Sequence, residues 1–521
     1  MGQYLKALAG GLVTAALFAA APAQAAWLEA RNKHFIVYGN VSEKKMRRFA
    51  DRLERFGGAL RAMLGIPEPD FGTSSQVRIY LVSSETAVRK AMGRGSNNVS
   101  GFYRPALSGP IIVAPAGLSE GDEYFTADLV LFHEYTHHVL IGDVGANYPG
   151  WITEGLAELF ATAQVEEDGS VTIGHAANAR VDMIMVDSPM PVAQLIETDG
   201  KRLDEEQTLE KYARGWLLCH YLLLGGKRPD QLSNYIKLIS AGKTPAEAGQ
   251  EAFGDLKALN AELNRYRTSR LSGLRVKAER IPIDPVTVRA LDAAEAAIMP
   301  LHLRSTTGET EKEAVAELPA ARQIAATYPQ SAFVHRVIAE VAFDAKNDAE
   351  AETEADRALA IDPRNIDAAV YKAYVAIRRA SEAKPADPVL WKAARRTIAK
   401  ANALDPNYAL PFVMFYSSFT QTDMPPTANA FDGLMRAVAL APQSDEVRVL
   451  AFNALLQKGD LKLARHVLAP VAFDPHGSAD NPARPMIALI DKGATLEEVR
   501  AAWATATAER EAKAKAGATT K

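Results

Sequence analysis

The residues best suited to chemistry lie close together in an H-E-x-x-H pattern, formed by His133, Glu134 and His137 inside an apolar run with helical periodicity. Because positions i and i+4 share one face of a helix, the two imidazoles can converge on a single Zn²⁺ while Glu134 points at a water on that ion. The bare motif should occur by chance in on the order of one chain in a hundred of this length. It therefore needs a second element before it indicates a metal site.

A candidate third ligand follows in the phrase W-x-x-E-G-x-A-E over Trp151–Glu158, which again has helical character. Sixteen residues separate His137 from Glu154. A catalytic zinc keeps three protein ligands and one open position for water, and two histidines with one glutamate are a recurring set. Glu158, one helical turn beyond Glu154, is the competing carboxylate. The neighbouring His138 lies about 100° around the helix from His137 and is predicted to be structural.

The combined pattern, H-E-x-x-H followed by W-x-x-E-G-x-A, resembles the gluzincin metallopeptidases, including the aminopeptidases of that clan and the peptidase MA-like domains. The resemblance implies that Glu154 is the third zinc ligand, although its spacing from His137 is slightly shorter than is typical of those aminopeptidases. It also implies that Glu158 holds the free ring nitrogen of a zinc-bound histidine; a solvated helix carboxylate is the alternative. Tyr212 matches the family's post-motif tyrosine, which stabilises an oxyanion; packing beside Trp216 is the alternative.

The first half of the chain is predicted to be an α+β domain, in which a small sheet is followed by helices. Strands are expected at 34–38, 76–82, 101–104 and 110–114, and a helix at 43–64. The last two strands should form a hairpin. The segment Gly101–Arg104 is a candidate sheet edge for pairing with an extended peptide substrate. The family resemblance, which includes AWLEARNKHFIVYGN and KYARGWLLCHYLL, covers about residues 26–270.

The second half is predicted to be an all-α solenoid over residues 287–480. A local Ala-rich phrase recurs there and ends each time in a proline, at intervals of 34, 43, 36 and 33 residues. The prolines are Pro329, Pro363, Pro406, Pro442 and Pro475. This spacing resembles tetratricopeptide repeats and predicts four or five helical pairs that bind a partner protein on a concave face. An ordinary helical domain with chance prolines is the alternative.

The chain termini and the joint between the halves complete the predicted organisation. Residues 1–25 are typical of a cleaved signal peptide, with Lys6, an apolar run and the A-x-A site at 23–25, so the mature protein is expected in the periplasm or outside the cell. A membrane anchor is the alternative, but the apolar run is short and Pro22 interrupts it. Residues 271–286 are predicted to be a linker, and 481–521 a C-terminal helix with a flexible tail.

Composition narrows the function classes further. The 521 residues include 59 Lys plus Arg against 63 Asp plus Glu, a net charge of −4 that disfavours a nucleic-acid partner. No later segment is long and apolar enough for stable membrane insertion after signal cleavage. The single cysteine, Cys219, cannot form an internal disulfide and is predicted to be buried and unreactive. His175 and His220 are isolated and are predicted to be packed or capping residues.

Two functional hypotheses from different classes follow. The first is an exported metallopeptidase with one Zn²⁺ per chain, in which Glu134 is the general base for a zinc-activated water that attacks a peptide carbonyl. Its repeats would select or deliver a peptide or protein substrate. The second is a non-catalytic periplasmic scaffold whose repeats bind partner proteins and whose metallopeptidase-like domain is a binding module. The presence of Glu134 favours the first, because a purely structural zinc site needs no general base.

Overall fold

The computed structural model describes residues 27–68, 72–92, 101–116, 127–142, 148–176, 181–185, 189–199, 201, 203–422, 424–474 and 481–518. The predicted signal peptide lies outside these residues. The described chain is rich in helix and contains two small sheets. Among its helices, none combines the length and the apolar character needed to cross a membrane.

The strands of the described chain are β1 (Leu28–Arg31), β2 (Phe35–Gly39), β3 (Val77–Val82), β4 (Phe102–Arg104), β5 (Ile111–Pro115), β6 (Gln164–Val165), β7 (Val171–Ile173), β8 (Leu274–Val276) and β9 (Thr287–Ala290). The helices of the first half are α1 (Glu43–Leu64), α2 (Glu85–Met92), α3 (Ala127–Gly142), α4 (Gly150–Ala161), α5 (Val181–Ile184), α6 (Val192–Leu195), α7 (Glu205–Leu224), α8 (Gln231–Ser240), α9 (Pro245–Phe253) and α10 (Leu256–Tyr266). Those of the second half are α11 (Ala293–Thr307), α12 (Glu311–Thr327), α13 (Ala332–Asp344), α14 (Asp348–Ile361), α15 (Ile366–Glu382), α16 (Pro388–Leu404), α17 (Ala409–Thr420), α18 (Ala428–Leu440), α19 (Asp445–Lys458), α20 (Leu461–Ala472), α21 (Ala483–Asp491) and α22 (Leu496–Ala518).

The larger sheet is mixed and has the strand order β4-β5-β3-β2-β1-β9. Strand β3 lies at its centre between β2 and β5, to which it is parallel. Its sequence VRIYLV is rich in β-branched and aromatic residues, as expected for a strand that is covered on both sides. The remaining pairs are antiparallel, and β4 forms one edge of the sheet.

Both faces of this sheet are covered by helices from different halves of the chain. On one face, Phe35 and Ile79 belong to a core that also contains the apolar side of α1 and residues of α3. On the other face, Tyr80 and Val113 pack with Met299 of α11. The first helix of the second half therefore completes the core of the N-terminal sheet.

The strands and the helix expected at the start of the chain coincide with the structure. Helix α1 spans the expected residues 43–64, and the expected strands correspond to β2, β3, β4 and β5. Strands β4 and β5 pair antiparallel, as the hairpin prediction requires. The order of a small sheet followed by helices is thus present.

The predicted linker and the predicted first residue of the repeats need correction. Within residues 271–286, β8 pairs with β7, and Ala278–Arg280 form a 3₁₀ turn. Residue 287 begins β9, which pairs with β1, and the first helix of the second half begins only at Ala293. These strands have three and four residues and are largely exposed. Their conformation depends on partners distant in sequence rather than on a local hydrophobic pattern.

The second half consists of paired helices, which confirms its prediction as an all-α repeat region. Helices α11 to α20 form five successive pairs in which each helix packs on the next. Four of the phrase-ending prolines lie two residues beyond the ends of α12, α14, α16 and α18. Pro475 lies outside the described residues. Small side chains allow the close packing, since Ala339, Ala355, Ala358 and Ala368 form a fully buried cluster.

A buried set of hydrogen bonds fixes the repeats to the sheet domain. The backbone N–H of Ala409 donates to the Ser74 hydroxyl at 2.9 Å. The amide of Gln443 donates to the carbonyl oxygens of Ser74 at 2.8 Å and Ala106 at 3.2 Å. At Gly72 the approach is so close that an added Cβ would lie 2.3 Å from the carbonyl oxygen of Asn407.

Replacing Gly72 with alanine should therefore weaken the docking of the repeats. Overpacking of this kind typically costs about 1–3 kcal/mol, so we expect Gly72→Ala to lower the free energy of unfolding by that amount in a denaturant titration. Gly142→Ala is the control, because a Cβ at Gly142 would meet no atom within 4 Å. Equal stability of the two variants would contradict the tight contact at Gly72.

Candidate metal centre

Helix α3 carries the two histidines on one face. Another side of the helix is fixed in the core, where Phe132 stacks on Phe56 of α1 with ring centroids 3.9 Å apart. One turn separates His133 from His137, and their Nε2 atoms are 3.1 Å apart. The H-E-x-x-H segment is thus helical, and its two imidazoles converge.

Helix α4 brings a carboxylate to the same point. Glu154 has no exposed surface. One of its carboxylate oxygens lies 3.6 Å from Nε2 of His133 and the other 3.6 Å from Nε2 of His137. These three residues are the group of His, Cys, Asp or Glu side chains in the described part of the chain that could hold a metal ion. Their candidate ligand atoms all lie within 4.8 Å of one another.

The donor set fits zinc. Zinc takes imidazole nitrogen and carboxylate oxygen in tetrahedral geometry with bonds of about 2.0–2.2 Å, which places donor atoms about 3.3–3.6 Å apart. The separations of 3.1 and 3.6 Å in this site are close to that range. Two neutral nitrogens and one carboxylate also leave a fourth position open, which is characteristic of catalytic sites.

Two glycines allow α4 to lie against α7. An added Cβ on Gly155 would lie 2.5 Å from the carbonyl oxygen of Gly215, and one on Gly215 would lie 2.7 Å from the carbonyl oxygen of Trp151. The glycine that follows Glu154 in the E-G-x-A phrase therefore has a packing role. It lets the backbones of α4 and α7 approach closely, and so sets the position of the Glu154 side chain.

The beginning of α4 is anchored separately. The carboxylate of Asp199 accepts a hydrogen bond from the backbone N–H of Gly150 at 2.8 Å. Lys211 of α7 lies 3.8 Å from the other oxygen of Asp199. A carboxylate at a helix N-terminus is stabilised by the exposed N–H groups and the helix dipole. This contact therefore fixes α4 at the end closest to Glu154.

Burial dominates the electrostatics of the site. It raises the pKa of Glu154 to about 8, with smaller increases from the carboxylates of Glu158, Glu134 and Asp474 and a decrease from Lys211. Burial alone raises the pKa of Glu134 to about 7. Carboxylates removed from water and placed near one another favour a cation or a proton. The site is therefore suited to a divalent metal.

The remaining predicted site residues lie on the same helices. An oxygen of Glu158 is 3.9 Å from Nδ1 of His133, on the side of the ring away from Glu154. An acceptor at this position would bind the free ring N–H of a zinc-bound His133 and fix the orientation of its ring. Tyr212 lies half-buried on α7, and it is not among the described residues that line the cleft beside the site. Its predicted role stays a prediction.

Tyr103 is a residue that sequence reasoning missed. It lies on edge strand β4, and its hydroxyl is 3.4 Å from Nδ1 of His138. Burial, and then the charge of Glu134, raise its pKa well above the usual tyrosine value. Tyr103 therefore stays protonated beside the candidate centre and can donate a hydrogen bond. The one sequence signal for Tyr103 was the prediction that the segment Gly101–Arg104 forms a sheet edge.

Three side chains that were predicted to be structural are packed. His220 bonds to the Tyr266 hydroxyl at 2.9 Å and to the Gly174 carbonyl oxygen at 3.2 Å. Cys219 is fully buried, and burial raises the pKa of its thiol. Burial lowers the pKa of His138 to about 3, so its imidazole is neutral.

A cleft of about 500 Å³ opens beside the metal centre. Glu134 and His137 lie on one side, together with Tyr103 of the edge strand. The other side is formed by the repeats, which contribute residues from the start of α19 and from the end of α20 and the residues after it. The candidate centre thus faces an open cleft large enough for part of a peptide.

Residues 130–247 match the family model described as "Protein of unknown function (DUF1570)". A thermophilic TPR protein of Thermus thermophilus is 17% identical, with 41% of this chain and 99% of that chain covered and a TM-score of 0.29. Yeast Tom70 is 12% identical, with 75% and 76% covered and a TM-score of 0.24. No curated protein matches.

The metal ligands can be tested by exchanging single donors. We expect one zinc per chain, lost in His137→Ala and in Glu154→Gln because each removes a donor. Glu158→Gln should keep zinc with about 10–100-fold lower affinity. Elemental analysis and chelator competition measure both properties. The control is His138→Ala, which should leave zinc binding unchanged, and loss of zinc in Glu158→Gln but not in Glu154→Gln would reverse the assignment.

The glycine contact between α4 and α7 gives a separate prediction. Gly155→Ala should lower the free energy of unfolding by about 1–3 kcal/mol, because backbone atoms of α7 leave no room for a methyl group. It should also weaken zinc binding, since Glu154 moves with α4. Thermal unfolding in chelator and in zinc separates the two effects, and a variant that matches the wild type in both would contradict the role of this contact.

Proposed function

We propose that this chain is an exported zinc-dependent metallopeptidase. The observation that carries the proposal is the convergence of His133, His137 and Glu154 beside a cleft that also contains Glu134. A structural zinc site is closed by four protein ligands. Three donors next to an open cleft and a buried acid–base group support hydrolysis instead.

The chain's own residues supply the proton transfers. When bound, Zn²⁺ would polarise the scissile carbonyl and make water more acidic. Glu134 accepts one proton from the water as its oxygen bonds to the carbonyl carbon. It then gives that proton to the amide nitrogen as the C–N bond breaks, so that a carboxylic acid and an amine leave. A pKa near neutrality suits both steps.

Charge that develops on the carbonyl oxygen needs a hydrogen-bond donor. Tyr103 is well placed, because it lines the cleft with Glu134 and His137 and keeps its proton. Tyr212, which the family resemblance suggests, is the second candidate. If Tyr103→Phe loses kcat at unchanged zinc content and Tyr212→Phe keeps its kcat, Tyr103 is the donor.

Strand β4 supports a peptide as the substrate. It is an edge strand of the sheet, and its residues Phe102 and Tyr103 line the cleft. The unpaired side of an edge strand can hydrogen-bond an extended peptide, which fixes the register of the scissile bond. Such binding depends mainly on the peptide backbone, so additional contacts must supply side-chain selectivity.

Glu134→Gln separates catalysis from metal binding. We expect this variant to keep its zinc and to lose at least about 100-fold in peptide hydrolysis, since it lacks the acid–base group. Zinc-loaded wild type and variant are incubated with denatured casein, and new amino termini are identified by mass spectrometry. His137→Ala is the matched control and should lose both zinc and hydrolysis.

The same experiment tests the alternative. A zinc-loaded wild type that cleaves no better than Glu134→Gln would contradict the peptidase proposal. The five helical pairs would then favour a scaffold that binds partner proteins. Cleavage within a chain, as against stepwise release from its amino terminus, would identify an endopeptidase.

A further inference from the structure

His138 is the third histidine of helix α3, and it is not one of the candidate metal ligands. It lies four residues after Glu134, so these two side chains share one face of the helix. His138 is 8% exposed and is not among the described residues that line the cleft. Its imidazole can therefore act on a bound substrate only through a neighbouring residue.

Tyr103 is that neighbour. Side chains alternate along β4, so Phe102 packs on one side of the sheet and Tyr103 on the side that α3 covers. The Tyr103 hydroxyl lies 3.4 Å from Nδ1 of His138, and the two ring centroids are 6.2 Å apart. Tyr103 also lines the cleft, together with Glu134 and His137. Its phenol is therefore the group that connects His138 to the cleft.

The ring of His138 is also packed against Tyr135. This tyrosine lies about one turn earlier on α3, is 2% exposed, and has its ring centroid 5.7 Å from that of His138. Tyr135 in turn packs closely on α1, where an added Cβ at Gly57 would lie 3.0 Å from Cε1 of Tyr135. Packing of this kind holds the imidazole in one orientation relative to the phenol.

The position of one proton decides what this contact does. A phenol has a single O–H donor, and a neutral imidazole has one N–H donor and one acceptor nitrogen. If Nδ1 of His138 accepts, the Tyr103 proton points at the imidazole and is not available to a substrate. If Nδ1 carries the proton, it donates to the phenol oxygen, and the phenol proton can point into the cleft. The negative charge of Glu134, which acts on Tyr103, favours the second arrangement because it attracts the phenol proton.

We propose that His138 is a positioning residue, which donates a hydrogen bond from Nδ1 to the Tyr103 hydroxyl and so directs the phenol proton at the carbonyl oxygen of a bound peptide. This hydrogen bond then sets the tautomer of the imidazole. His138 exchanges no proton with the substrate, since its effect passes through Tyr103. The inference rests on the proposed peptidase function, because Tyr103 needs a substrate oxygen to which it can donate.

The ring proton of His138 can be located without catalysis. Full-length protein with zinc supplied is labelled on histidine nitrogen, so that NMR observes ten imidazoles and distinguishes protonated from unprotonated ring nitrogens. The signals of His138 are those that disappear in His138→Asn. We expect the proton on Nδ1. A neutral ring with its proton on Nε2 would overturn the inference, because Nδ1 would then accept from Tyr103.

Two substitutions of similar shape test the consequence for hydrolysis. His138→Leu removes the hydrogen bond, whereas His138→Asn retains an N–H donor close to the position of Nδ1. The substrate is a synthetic peptide that spans a bond cleaved in casein. We expect His138→Leu to lower kcat about tenfold at unchanged KM and zinc content, since Tyr103 remains but loses its orientation. His138→Asn should restore most of this loss.

The effect of His138→Leu should also depend on Tyr103. In the Tyr103→Phe background it should cause no further loss of kcat, because residues that act as a unit are not additive. Thermal unfolding confirms that each variant is folded. An unchanged kcat in His138→Leu, or the same loss with and without the Tyr103 hydroxyl, would overturn the positioning role.

The two measurements keep this inference distinguishable from the peptidase proposal. Hydrolysis that depends on Glu134, together with a ring proton on Nε2, would overturn the role of His138 alone. Absence of hydrolysis by zinc-loaded wild type would overturn the peptidase proposal, and a proton on Nδ1 would then still support the hydrogen bond from His138 to Tyr103. A proton on Nδ1, with a loss of kcat that requires Tyr103, supports both.

Discussion

The fully buried carboxylate of Glu154 is the constraint on which the rest of the site depends. Helix α4 is buried along its whole length, so this charge is removed from bulk solvent. An ionised carboxylate in such a place is unfavourable by several kcal/mol unless an opposite charge compensates it. A divalent cation held between Glu154 and the two imidazoles would provide that compensation. The same burial that raises the pKa of Glu154 to about 8 thus makes the site a strong cation ligand once it is ionised.

The position of Glu154 relative to the histidines is set by contacts outside the metal site. Helix α3 is held by the stacking of Phe132 on Phe56, and α4 by the close approach of Gly155 to α7. Neither contact involves a donor atom. Ligands that are already in place lose little conformational freedom when a metal binds, so this arrangement would favour tight binding. The framework of α1, α3, α4 and α7 therefore accounts for most of the candidate centre.

The sequence predicts local features of this protein better than distant contacts. The spacing of His133 and His137 identifies a shared helix face, and the phrase-ending prolines locate the ends of four helices, because both signals depend on neighbours along the chain. Tyr103 could not be assigned in this way, since its place beside Glu134 depends on the strand order of the sheet. Strand β9 was missed for a related reason, because its partner β1 is distant in sequence. Asp445 could be linked to the cleft only through the docking of the repeats.

The docking of the repeats also changes how the two halves should be understood. Their separation into a catalytic domain and a remote scaffold requires that each half bury its own core. In this chain β9 extends the N-terminal sheet and Met299 of α11 covers one of its faces, so the first half alone would expose apolar side chains such as Tyr80 and Val113. The cleft in turn needs the repeats for its second wall. The contacts that complete the sheet core therefore also hold in place the wall of the cleft that the repeats contribute.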